Sequence, residues 1–179
     1  MWGNGLRVEL SVLKKFFLLL VLIIPACGYH FPEGNGTKAP HLRTFYVDVF
    51  VNKTNEVYAG QIIRSAFIGR FVEEGHFTLA ASLDRADLIC RGSIKSIQTA
   101  PLSYKASNIA AEERMTVVME VVFEDKTEGR VLWENRSLVA TGDYLATTTL
   151  MVEKNRKDAL LKLADDAAER AYQLMMSDF

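Results

Sequence analysis

The chain has 179 residues, with 21 Lys+Arg against 22 Asp+Glu and a formal net charge of −1. That length suits one domain, or one domain plus a targeting segment, and the near-zero charge argues against a general nucleic-acid binder, which needs a basic stripe to neutralise phosphates. With 49% hydrophobic residues, 4 Pro and 2 Cys the chain is neither disordered nor proline-rich, and cysteine alone supplies neither a disulfide framework nor a zinc site.

Residues 1–26 read as a lipoprotein signal peptide. Arg7, Lys14 and Lys15 precede Phe16–Ile24, an unbroken apolar run. A bilayer span takes about 20 apolar residues, so this run is too short to cross and fits the core of a secretory signal. It ends in Ile24-Pro25-Ala26-Cys27, which resembles the bacterial lipobox, with Pro25 departing from the usual pattern. A small Ala26 lets a peptidase reach the bond before Cys27. The expectation is that Cys27 carries a diacylglyceryl group on sulfur and an acyl chain on its freed amine, and that no other cofactor is needed. Two or three chains, at about 0.8 kcal/mol per buried methylene, hold a protein stably on a membrane. Gly28 is compatible with export to the outer membrane. Cys90, in Leu88-Ile89-Cys90, reads as a buried small hydrophobe.

Residues 27–43 read as the lipidated N-terminus and a Gly/Pro/Asn-rich tether, and 44–179 as a single domain. Thr44–Val51 alternates and predicts a strand. Asn52–Asn55 offers turn and helix-capping chemistry. Glu56–Glu74 predicts a helix whose stripe is Ala59, Ile63, Ala66, Phe67 and Phe71, stopped by Gly75. Phe77–Ala80 could begin a strand. Ala86–Gln98 predicts a stronger one, with Gly92 marking a bulge or a close backbone contact.

Residues 99–112 read as a polar connection. Arg114–Glu124 predicts a long strand with Met115, Val117, Met119, Val121 and Phe123 on one face. After a turn at 125–129, Arg130–Ala140 returns with Val131, Trp133 and Val139 in one parity class. Residues 141–157 read as a second connection. Lys157–Met176 predicts a closing helix with Leu160, Leu163, Ala164, Ala167, Ala171, Leu174 and Met175 apolar. The order β-α-β-β-β-α implies an α+β two-layer sandwich, a mainly antiparallel four-stranded sheet under two helices. Its other face, carrying Thr116, Glu120 and Glu124 with Val118 and Val122, is expected to be partly wet or covered by a partner.

No phosphate-loop, dinucleotide, zinc-protease, serine-hydrolase or CxxC motif occurs. His30, His41 and His76 form no obvious ligand cluster, so no catalytic or metal residue is assigned. The pairs Glu73-Glu74, Glu112-Glu113 and Asp165-Asp166 read as solvated surface, because adjacent helical residues do not face each other. In an antiparallel meander, alternate connections share one sheet end. The 99–112 and 141–157 connections are therefore expected to be neighbours. Lys105, Lys154, Arg156 and Lys157 would cluster there among Leu102, Tyr104, Ile109, Leu150 and Met151. Cations among apolar tips suit an amphiphile bearing phosphates, although from the residues alone an ordinary solvated charge cluster near a helix terminus is the commoner arrangement.

Several segments together resemble the LptE family of lipopolysaccharide-assembly lipoproteins. They are Cys27-Gly28-Tyr29-His30-Phe31, Val51-Asn52-Lys53-Thr54, Ala86–Ile94, Val131-Leu132-Trp133-Glu134 and the Ala-rich closing helix. The tail after the last helix is shorter than in some relatives. The resemblance implies a non-enzymatic lipoprotein of the cell outer membrane. It would sit on the periplasmic side within the lumen of the LptD barrel as plug and assembly partner, and bind lipopolysaccharide during transport to the cell surface. Lys105 matches a basic position of relatives linked to lipopolysaccharide contact, and Lys154 matches one approximately. The alternative is a lipoprotein activator of a periplasmic enzyme such as a peptidoglycan synthase, which calls for a long spacer. A tether of about 16 residues, at roughly 3.3–3.6 Å each, favours the plug.

Overall fold

The computed structural model describes residues 41–104, 110–146 and 149–178. The expected signal, Cys27, His30 and Lys105 lie outside the described residues.

Phe45 and Val47 point into the core from β1 (Thr44–Val47). The expected single strand breaks after Val47, because Phe50 must also turn inward and that is out of phase with two-residue alternation. The chain kinks at Asp48-Val49 and resumes as β2 (Val51–Asn52), with Phe50 1% exposed. Helix α1 (Ala59–Glu74) starts three residues later than expected. Asn52 and Thr54 do not cap it: Tyr58 holds the N-cap position without a side-chain bond. Asn52 Oδ1 instead accepts from Thr54, and Asn52 Nδ2 donates to the Glu56 carbonyl at 2.6 Å, so the polar pair folds the loop. The stripe Ala59, Ile63, Phe67 and Phe71 is buried as expected, and Gly75 ends the helix at φ 71°.

After β3 (Thr78–Leu79) and a 3-10 turn at Leu83–Arg85, three long strands make the body of the sheet: β4 (Leu88–Tyr104), β5 (Ala110–Asp125) and β6 (Arg130–Leu145). The order is β3-β1-β4-β5-β6, with β2 also on β4. The β1, β2 and β3 pairings are parallel and the two long pairings antiparallel, which gives a mixed, mostly antiparallel sheet. Of the residues expected as connections, 99–104 extend β4, 110–112 extend β5 and 141–145 extend β6. Ala100 pairs with Arg114 and Glu112 with Leu145, so tertiary pairing overrides a polar, proline-containing local sequence.

On β5 the inward set Met115, Val117, Met119, Val121 and Phe123 is fully buried, as the alternation requires. On β6 the expected parity class fails. Trp133, Leu138, Ala140 and Tyr144 are buried while Val131 and Val139 are 56% and 40% exposed. Two register shifts against β5, each an extra residue on β6, flip which residues face inward.

Helix α2 (Thr149–Asp178) begins eight residues before its expected start. It buries Leu160, Leu163, Ala164, Ala167, Ala171 and Met175 with α1 on one sheet face, whereas Leu174 is 41% exposed. Phe71 stands at the centre of this core, with ring centroids 4.9 Å from Phe45, 5.3 Å from Phe123 and 5.0 Å from Tyr172. Gly92 answers the close-contact expectation: a Cβ there would lie 2.3 Å from the Phe50 ring, which crosses β4 at that point. A small cluster of Ala80, Ala86 and Ile89 covers part of the opposite face. No described helix is long and apolar enough to cross a membrane.

Candidate functional site

The sheet has two ends. At the turn end, Asp125 pairs with Arg130. At the far end, Tyr104 pairs with Ala110 and Glu112 with Leu145. The chain leaves the far end twice, into 105–109 and into the start of α2, which is the juxtaposition expected from the meander. Leu102 (44% exposed), Tyr104 (64%), Leu145 (52%) and Met151 (53%) lie at this end or beside it.

Lys154, Arg156 and Lys157 are on the early turns of α2, not in a connecting loop. They line a cleft of about 560 Å³ between the start of α2 and the segment before α1, together with Val57, Tyr58, Ile62 and Leu160. Lys154 Nζ donates to Asp158 at 2.7 Å, one helical turn away. Arg156 is drawn toward α1 by Glu56 at 2.6 Å. Glu153 also lines the cleft. The three cations are thus faced by three carboxylates, and among the described residues only Lys157 of the three has no carboxylate within 4.0 Å. Lys105, beside this end in sequence, lies outside the described residues.

The open sheet face is a lattice of paired charges. Arg91 contacts Glu124 at 2.6 Å, Lys95 contacts Glu120 at 2.9 Å, and Arg136 contacts Glu134 at 2.6 Å. Arg114 grips Asp143 through two bonds of 2.7 and 2.8 Å. The Lys95 hydrogen bond and charge hold the Glu120 carboxyl below its ordinary range, and Arg114 does the same for Asp143. Exposed pairs of this kind contribute about 0–1 kcal/mol each, so they set the character of the surface more than its stability.

Two further groups were not legible in the sequence. Asp87 Oδ2 accepts from the backbone N–H groups of Arg43 and Thr44 at 3.0 and 2.9 Å and from the Thr44 hydroxyl at 2.9 Å. Burial pushes the Asp87 carboxyl up, but these donors outweigh it and hold the group below its ordinary range. Asp125, fully buried in the β5–β6 turn, accepts from the Glu128 N–H at 2.9 Å and bonds His41 Nε2 at 2.7 Å. Its carboxyl is also held low against burial, chiefly by His41.

His41, Asp125 and Glu128 could together face a cation, since their ligand atoms lie within 4.8 Å of one another. Arg130 at 2.6 Å already occupies Glu128, and His41 occupies Asp125. The trio works as a clasp that fixes residue 41 to the turn end, 84 positions away in sequence. No sequence signal marks a contact at that separation. His76, the third histidine, bonds the Tyr172 hydroxyl at 2.6 Å, and burial pushes that phenol up to about 12. Cys90 is 1% exposed, and burial raises its thiol well above the ordinary value, as a packing residue requires.

The sequence model described as LptE, lipopolysaccharide-assembly, matches residues 42–175. Among curated protein sequences there is no match. The fold is similar to a crystal structure from Caulobacter crescentus described as that of a lipoprotein, at 9% identity and TM-score 0.53, over 74% of this chain and 88% of that one. It is also similar to a protein of Xanthomonas campestris, at 10% identity and TM-score 0.52, over 76% and 85% of the two chains. A minor lipoprotein of Acinetobacter baumannii aligns at 11% identity and TM-score 0.50, over 76% and 92%.

Proposed function

This chain belongs to the LptE family of lipopolysaccharide-assembly lipoproteins, a family that assembles and does not catalyse, and from that premise we propose that it plugs the LptD barrel at the outer membrane and holds lipopolysaccharide at the far end of its sheet. The observation that carries this reading is the convergence at and beside that end. Leu102, Tyr104, Leu145 and Met151 expose apolar surface, while Lys154 and Lys157 stand on the first turns of α2. Apolar tips suit acyl chains, and cations suit phosphates. Lys105 lies in the connection that leaves the same end, and the proposed site includes it.

The charge lattice on the open face supports the plug. A barrel lumen is polar, so its plug needs a surface of mixed, mutually satisfied charge. Cys27 as a lipid anchor keeps the domain at its own membrane. The clasps at His41 and Asp87 hold residues 41–44 to the body, which takes the end of the expected tether out of any free spacer.

Two measurements test the reading. A barrel should co-purify from membranes solubilised in mild detergent, and recovery of the chain alone would end the plug assignment. Charge reversal at Lys105 together with Lys154 should weaken lipopolysaccharide binding several-fold while leaving the barrel in the complex. Unchanged binding at low salt would remove the proposed ligand site.

A further inference from the structure

We infer that the outer edge of β4 beyond β2, from Ser96 to Tyr104, is a docking edge that takes one extended segment of a partner protein as an added strand. On the β1 side, β4 is paired with β1 at Leu88–Cys90 and with β2 at Ser93–Ile94, and Lys53 donates the last bond to the Ile94 carbonyl at 3.1 Å. Past that point no described strand lies on this side, while β5 pairs the other side to Tyr104. Of these nine residues Ser96–Pro101 stay in unbroken register with β5, about 20 Å at the usual rise and the length of a typical strand of five to six, before two further register shifts at Pro101–Ser103 and Ser103–Tyr104.

The backbone defines the occupant. Asp48 and Lys53 donate to the carbonyls of Cys90 and Ile94, so even-numbered residues face outward in this half of β4. The register shift between Ile94 and Ser96 reverses the phase, and Ile97, Thr99 and Pro101 then face outward. Pro101 has no N–H to donate, and it sits where no bond to β5 is lost, which agrees with this assignment. An extended chain laid alongside would bond Ile97 and Thr99 through both groups and Pro101 through its carbonyl.

Three features favour a foreign strand. No residue from Ser96 to Tyr104 is charged, so of the devices that blunt an exposed edge the charges are missing, and Pro101 and the register shifts at the two ends of Ser96–Pro101 leave the amides of Ile97 and Thr99 unguarded between them. Gln98 through Leu102 are exposed consecutively, whichever sheet face they point to, so both faces of an added strand would find open neighbours. Self-pairing about a two-fold axis would present Pro101 twice and leave two acceptors unmet, whereas a foreign strand meets it once. The mode is strand addition, in which backbone bonds supply affinity and the side chains at Leu102 and Tyr104 supply selection.

The inference rests on the assembly reading for the expectation that a protein partner exists, and its test reads a different quantity. Hydrogen exchange resolved to single amides is measured on the isolated chain and on the complex extracted in mild detergent. In the isolated chain Ile97 and Thr99 should exchange quickly and Gln98 slowly. In the complex Ile97 and Thr99 should slow by about a hundredfold or more. If a barrel co-purifies and these two amides stay fast, the docking edge is refuted and the plug stands. If no protein co-purifies and they stay fast in intact membranes, both fall. A photo-reactive phenylalanine analogue at Leu102 should cross-link the full-length chain to a segment of another protein. A cross-link to a second copy of this chain, or to no protein, would overturn the assignment.

Discussion

Asp87 and Asp125 stitch the beginning of the domain to its turn end, and both do so as charged carboxylates. Each is held below its ordinary value of 3.8 by the donors around it. A carboxylate with a lowered folded value adds stability that is complete above its unfolded value and is lost as pH falls through the folded one. The domain should therefore weaken as pH drops below about 4. In urea unfolding across pH, Asp87→Asn should cost about 1–3 kcal/mol at neutral pH, the worth of charge-assisted bonds, with the gap to wild type closing in acid. A gap that stays constant to pH 2 would mean that the carboxylate charge is not what holds Arg43 and Thr44. His41→Ala should cost about 0.5–1.5 kcal/mol, measured the same way.

At the scale of elements, the sequence was most readable where one face is buried and the chain stays in phase. The β5 alternation and the α1 stripe are of that kind, because solvent on one side and core on the other force a strict period. Readability failed wherever a geometric insertion changed the phase. The kink before Phe50 split one expected strand into two, and the extra residues on β6 exchanged Val139 for Leu138 at the core. Strand ends were misread for another reason. Residues 99–104 and 110–112 have loop-like composition, and what makes them strand is the neighbour they pair with. The start of α2 failed similarly, which moved Lys154 and Arg156 from a loop onto a helix and next to their carboxylate partners.

Gly92 was legible as a special position because a residue without a side chain inside a strong strand needs a reason. Gly92→Ala should cost about 1–3 kcal/mol by driving the Phe50 ring off β4, measured as a lower urea midpoint with unchanged slope. Phe71→Ala should cost about 3–5 kcal/mol, since it removes the ring on which four other aromatic residues, Phe45, Phe77, Phe123 and Tyr172, pack.

For the whole molecule, the candidate ligand site was only partly visible from sequence. Its place at one end of the sheet follows from topology, and topology follows from the order of elements. Its charge balance does not, because Glu56 meets Arg156 only after α1 and α2 pack. The proposed lipid anchor at Cys27 makes an independent prediction. Cys27→Ala should abolish metabolic labelling by palmitate, and persistent labelling would refute Cys27 as the acylated residue.

Helix α2 leaves the far end and runs back along the sheet until Tyr172 bonds His76, just past the C-terminal end of α1. The last described turns of the chain therefore finish near the same pole at which His41 enters. A fluorescent reporter fused behind Phe179 would ride beside the pole of His41 and leave the opposite end of the sheet unobstructed. A reporter inserted between Tyr104 and Ala110 would load that opposite end itself. The first is a neutral handle for following this protein in living cells, and the second is a built-in blockade.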